Sequence, residues 1–88
     1  MYEIQPYSYA RAKDLDVKIY PSTYPNKKID VYKNGDKIAS IGAIGYGDYP
    51  TYLITHGKAF ADNRKRLYHI RHKNDNQITG FLSREILW

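Results

Sequence analysis

Cysteine is absent from this 88-residue chain. No disulfide can brace the fold, and no thiolate can bind a metal or attack a substrate. Phe, Trp and Met are also scarce, with two Phe, one Trp and one Met. A chain this short buries a modest share of its surface, so a thin core is expected. No apolar run approaches the roughly 20 residues that cross a bilayer, so membrane insertion is not expected. The start, Met1-Tyr2-Glu3-Ile4-Gln5-Pro6, has neither a basic cluster nor an apolar stretch. It does not read as a signal peptide, and a soluble, non-secreted protein made in the cytoplasm is expected. No linker, repeat or low-complexity tract divides the chain, so residues 1–88 read as a single small domain.

Tyrosine and positive charge are abundant instead. Ten residues are Tyr, and 14 Lys or Arg against 9 Asp or Glu give a formal charge of +5. At 42% hydrophobic and 26% charged the composition is that of a globular protein. A tyrosine puts a hydroxyl at the end of each ring, which suits half-buried positions and interfaces.

Residues 1–16 give weak signals. Tyr7 to Asp14 is ambiguous between loop, strand and helical turn, and 1–16 reads as an extended N-terminal arm. Val17 to Tyr20 alternates and meets Pro21, which ends a short strand. Lys28 to Lys33 alternates with Ile29 and Val31 on one face. Asn34-Gly35 follows, and this pair accepts the two positive φ angles of a type I′ turn. A hairpin with Val31 opposite Ile38, Ile29 opposite Ser40, Asp30 opposite Ala39 and Tyr32 opposite Lys37 is predicted. Gly42, Gly45 and Gly47 lead the chain out of the sheet. Asp48 or Tyr49 then caps a helical turn with Pro50 in its first turn.

The spacing predicts a helix from Lys58 to about Lys73. Ala59, Phe60, Asn63, Leu67 and Ile70 share one arc and Lys65, Arg66, His69, His72 and Lys73 the other. Arg64, Tyr68 and Arg71 form a row on the border. The end, Gly80 to Trp88, reads as a helical turn or a strand docked on the core, because Ile-Leu-Trp is costly to leave in water. The expected fold is α+β: a three-stranded antiparallel meander packed on one amphipathic helix, with the hydrophobic C-terminal segment against both.

Residues 64–73 hold five Lys or Arg, two His and no acid. Such a face attracts phosphate, and Tyr68 adds a ring that stacks on a base. An ordinary solvated or protein-contacting helix face is the favoured reading, since cations suit a helix C-terminus. Arg64 and Arg71, at the core edge, are expected to lay their stems over apolar surface and pair with a carboxylate or carbonyl, Asp48 and the C-terminal carboxylate being the available partners. His69 and His72 are spaced to share a cation, but Lys65 and Lys73 beside them disfavour one. The glycines 42–47 lack the order of a phosphate loop. No catalytic residue, metal or cofactor is expected.

Three segments together resemble a known family. They are Gly42-Ala43-Ile44-Gly45-Tyr46-Gly47-Asp48-Tyr49, Arg64-Lys65-Arg66-Leu67-Tyr68-His69-Ile70-Arg71-His72 and Gly80-Phe81-Leu82-Ser83-Arg84-Glu85-Ile86-Leu87-Trp88. In order and spacing they are similar to a family of small uncharacterised proteins of large double-stranded DNA viruses, including algal and giant viruses, and of some phages. The resemblance implies a viral origin and no particular reaction. The expectation is a non-enzymatic structural or accessory protein, a minor capsid-associated component of the virion. Its location would be the virion or the host cytoplasm or nucleus. It would bind other proteins of the particle through Arg64, Lys65, Arg66, Tyr68, Arg71, His72 and Lys73 and a Tyr-rich surface. Asn34, Gly35, Gly45, Gly47, Asp48, Tyr49 and Trp88 would shape the fold. The alternative is a viral protein that binds DNA or RNA phosphates through helix 64–73.

Overall fold

A computed structural model describes residues 2–75 and 77–88. The elements in chain order are α1 (Pro6–Asp14), β1 (Lys18–Pro21), β2 (Lys27–Lys33), β3 (Asp36–Ala43), α2 (Tyr49–Thr55), α3 (Lys58–Arg71) and α4 (Ile78–Ile86). The fold is α+β, with a three-stranded antiparallel sheet in the order β1-β2-β3.

The hairpin forms where Asn34-Gly35 places it. Both residues have positive φ, 53° and 85°, as a type I′ turn requires. Its register departs from the simple two-residue expectation. Tyr32 does face Lys37, but Val31 then faces Ala39, Asp30 faces Ser40 and Ile29 faces Ile41. Ile38 is the extra residue of a β-bulge on β3. The bulge has two consequences. It sets Ile29 against Ile41, both fully buried, and it brings the Ser40 hydroxyl to 2.7 Å from the Asp30 carboxylate. Ser22 donates to the same oxygen at 2.7 Å. Burial alone would raise the Asp30 carboxyl, but these hydroxyls, the Thr23 amide and Lys37 outweigh it and hold it below its ordinary value.

Residues 6–14 are helical, which corrects the reading of 1–16 as an extended arm. Pro6 starts α1 with its fixed φ. No apolar stripe announced this helix because it docks through small residues and hydrogen bonds. Ser8 and Ala12 are its buried positions. The Ser8 hydroxyl donates to the Ile86 carbonyl at 2.9 Å, and Arg11 Nε donates to the Glu85 carbonyl at 3.0 Å.

The C-terminal segment is a full helix, and α4 rather than α3 lies along β3. Leu82, Ile86 and Leu87 join Ile19, Ile29, Val31 and Ile41 in the core. Helix α3 packs chiefly on α2, and it is turned relative to the expected wheel. Of the arc assigned to the core, Ala59 and Asn63 are exposed, as are Phe60 (41%) and Ile70 (55%). Ala61 is buried instead, with Lys65 and Tyr68 half-buried on the same side. Aromatic rings explain the turn. The Tyr68 ring stacks on Trp88 with centroids 4.4 Å apart and planes at 7°. The Lys65 ammonium lies 4.7 Å from the centre of the Tyr49 ring and donates to the Tyr7 hydroxyl. A ring face accepts a cation that the wheel assigned to solvent.

Candidate binding site

The turn of α3 points the Arg64–Tyr68–Arg71 row toward the C-terminus of the chain. A cleft of about 280 Å³ opens there, bounded by the β3–α2 connection, α3 and the residues after α4. Arg64, Tyr68, Arg71 and His72 line one wall, and Ser83, Leu87 and Trp88 another. The remainder comes from Tyr46-Gly47-Asp48, Tyr52, Gly42 and Lys28.

Two glycines allow this closeness. A Cβ on Gly47 would run into the Tyr52 ring, and one on Gly42 would lie 2.7 Å from Leu87 Cδ1. Tyr52 can therefore lean against the backbone of the turn, and Leu87 against β3.

Beneath the cleft lies a buried ion pair. Lys28 Nζ is 2.8 Å from Asp48 Oδ2, with side chains only 5% and 1% exposed. The ammonium also donates to the Tyr46 carbonyl at 2.6 Å. Asp48 is the N-cap of α2, as its sequence position suggested: its Oδ1 accepts from the Thr51 amide at 2.9 Å. The Tyr2 hydroxyl donates to Oδ2 at 2.8 Å. Burial pushes the Asp48 carboxyl upward, but the hydrogen bonds from Lys28 and Thr51 win and leave it below its ordinary value. Burial, then the bond to Asp48, push the Tyr2 phenol well up.

Asp48 is therefore fully engaged and does not serve Arg64 or Arg71, contrary to the expected pairing. Among the described residues neither arginine lies within ion-pair distance of a carboxylate. The Arg64 guanidinium sits 5.9 Å from the Tyr52 ring centre. His72 is braced: its ring lies 4.2 Å from Tyr68, and its carbonyl accepts from Arg84 at 2.8 Å. Asp75 is 3.9 Å from its Nδ1. Lys28 is neutralised by Asp48, whereas Arg64 and Arg71 have no such ion-pair partner among the described residues. Two forked donors over aromatic walls suit a carboxylate or a phosphate.

The other residues singled out by sequence lie elsewhere. Lys65 faces a separate cavity with Tyr7 and His69, so the supposed continuous basic face is broken. Arg66 donates to Asn63 on the outer side, and Lys73 is exposed. His69 and His72 line different cavities and do not converge on a shared cation. The Nε2 of His69 is buried with no hydrogen-bond partner among the described residues. Asn34-Gly35 marks the hairpin tip, Gly45 an exposed turn, and Tyr49 donates to Asp62 at 2.8 Å. That bond first, then burial, raise the Tyr49 phenol. Sequence reading missed Lys28 and Ser83, and it offered Tyr52 only as one of the tyrosines clustered after the hairpin.

Among the described residues no group of three or more His, Asp or Glu is placed to hold a metal ion, and no helix is long and apolar enough to cross a membrane. No protein-family model, curated protein or solved structure matches the chain.

Proposed function

We propose that this chain is a non-enzymatic structural or accessory protein of a large double-stranded DNA virus, and that its cleft holds an acidic segment of a neighbouring protein of the particle. The observation that carries this reading is the pair Arg64 and Arg71, which line an aromatic-walled cleft and, among the described residues, form no ion pair with a carboxylate. A cleft of about 280 Å³ is small beside the roughly 300–1,000 Å³ of sites for small molecules. It suits one or two side chains of a partner. A hydrogen bond to a charged group contributes about 1.5–3 kcal/mol, so a carboxylate shared by two guanidiniums is a useful anchor. Leu67 lines the cleft and Ile70 lies exposed one turn on, so an apolar residue beside the acid also finds contact. Single-site affinity would be weak, and a particle with many copies multiplies it.

The three segments that carry the viral resemblance support the reading, because Gly42 to Tyr49, Arg64 to His72 and Gly80 to Trp88 all contribute to this cleft. The nucleic-acid alternative for helix 64–73 has less support, since Lys65 is turned inward. A virus carrying Arg64→Glu with Arg71→Glu tests the proposal. The parent protein is expected in purified particles at fixed stoichiometry, and the variant is expected to accumulate folded in the infected cell yet be missing from particles. Retention of the variant at the parental level, or absence of the parent from particles, overturns it.

A further inference from the structure

A larger groove lies away from that cleft, at the outer strand of the sheet. It measures about 830 Å³ and runs from the end of α1 along β1 to the Asn34-Gly35 hairpin tip. Three tyrosines line it, Tyr9, Tyr20 and Tyr32, interleaved with three lysines, Lys13, Lys18 and Lys33. Lys18 pairs with Tyr32 across β1 and β2, so the two side chains share a face, with Tyr20 two residues along. Tyr9 and Tyr20 are half exposed, at 50% and 51%. Tyr20 meets Tyr32 edge to face at 5.5 Å, which leaves ring surface open. Among the described residues none of the three lysines is in an ion pair. Asp16 is the one acid in the lining.

We propose that this groove binds single-stranded nucleic acid, with the lysines on successive phosphates and the tyrosine rings on unstacked bases. The chemistry favours this ligand over an acidic protein. Half-exposed rings between unpaired amines serve a polymer that alternates anion and flat π-surface, and each base offers such a surface whatever its sequence. Duplex DNA keeps its bases stacked inside and would use the lysines alone. The groove does not depend on the cleft, so either assignment can fail without the other.

The test is fluorescence anisotropy with a labelled 12-nucleotide oligothymidine. Four proteins are compared: the parent, Tyr9→Ala with Tyr20→Ala, Lys13→Gln with Lys18→Gln and Lys33→Gln, and Arg64→Ala with Arg71→Ala. Thermal melting checks each for folding, and the replaced groove side chains are exposed enough to spare it. The parent is expected to bind, with a log–log salt slope near about −2 for three phosphates. Loss of the two tyrosines is expected to weaken binding by about tenfold or more, and the lysine variant should flatten the salt slope. The Arg64 and Arg71 variant should bind as the parent does. Absence of binding, equal binding to a duplex of the same length, competition by polyglutamate as effective as by unlabelled oligonucleotide, or indifference to the tyrosine changes overturns the proposal.

Discussion

Asp48→Ala is expected to lower the melting temperature by about 12–40 °C. Removing one partner of a buried ion pair costs about 3–5 kcal/mol, because the other charge is left without compensation. In a domain this small each kcal/mol moves the transition by about 4–8 °C. Here the abandoned group is Lys28, whose ammonium keeps the Tyr46 carbonyl and the face of the Tyr2 ring, 5.4 Å away. The change also removes the cap of α2 and the acceptor for Tyr2. The total stability of such domains is about 5–15 kcal/mol, so the loss is a large share of it. Circular dichroism against temperature measures the effect. A second variant separates the charge from the fold: Lys28→Met with Asp48→Asn removes both charges and keeps an oxygen for the Thr51 amide. It should be markedly more stable than Asp48→Ala.

The same carboxylate fixes the response to acid. The Asp48 carboxyl is held below the ordinary value of 3.8 in the folded protein. Its contribution is complete above the unfolded value and is lost as the pH falls toward the folded one. Asp30 acts in the same sense. Stability should therefore be level near neutrality and fall below about pH 4. The double variant should show a shallower fall, as Asp30 remains.

Trp88→Ala is expected to cost about 3–5 kcal/mol, the usual loss for removing a large buried aromatic. The indole is buried, stacks on Tyr68 and lies 6.0 Å from the Tyr52 ring centre. Its removal takes away a wall of the cleft and a rest for α3. Denaturant titration followed by far-ultraviolet circular dichroism gives the value. Trp88→Phe keeps an aromatic ring against Tyr68 and leaves a smaller cavity, so it should cost clearly less than Trp88→Ala. Equal losses for the two substitutions would show that the stack is not what holds α3 in place.

The parts of this structure that sequence made legible rest on local chemistry. Asn34-Gly35 fixes a turn by its own φ angles, and Asp48 caps a helix by bonding three residues on. Both needed only neighbours in the chain. Helix α3 was placed to within two residues, yet its rotation was misread. The wheel set Phe60 and Ile70 on the core arc with Leu67, which is half-buried, and left Tyr68 on the border. Burial went instead to Ala61, the small residue that permits close approach, and the ring that stacks on Trp88, 20 positions away. The register slipped because a bulge at Ile38 leaves no mark in the alternation. Lys28 looked like any lysine on a strand, since its partner arrives from beyond the next strand. The cleft residues could be named from sequence in part, Arg64, Tyr68, Arg71 and His72 among them. Their convergence could not, because it depends on that rotation.

Arg64 and Arg71 are proposed to take a carboxylate in the cleft. The most direct measurement is a backbone and indole nuclear magnetic resonance titration of the labelled protein with a short peptide containing adjacent glutamates and a leucine. Saturable shifts are expected at Arg64, Arg71, His72 and the Trp88 indole, lost in Arg64→Ala with Arg71→Ala although that variant melts as the parent does. Shifts scattered over all the exposed lysines, or shifts at the cleft that persist in the variant, would contradict it.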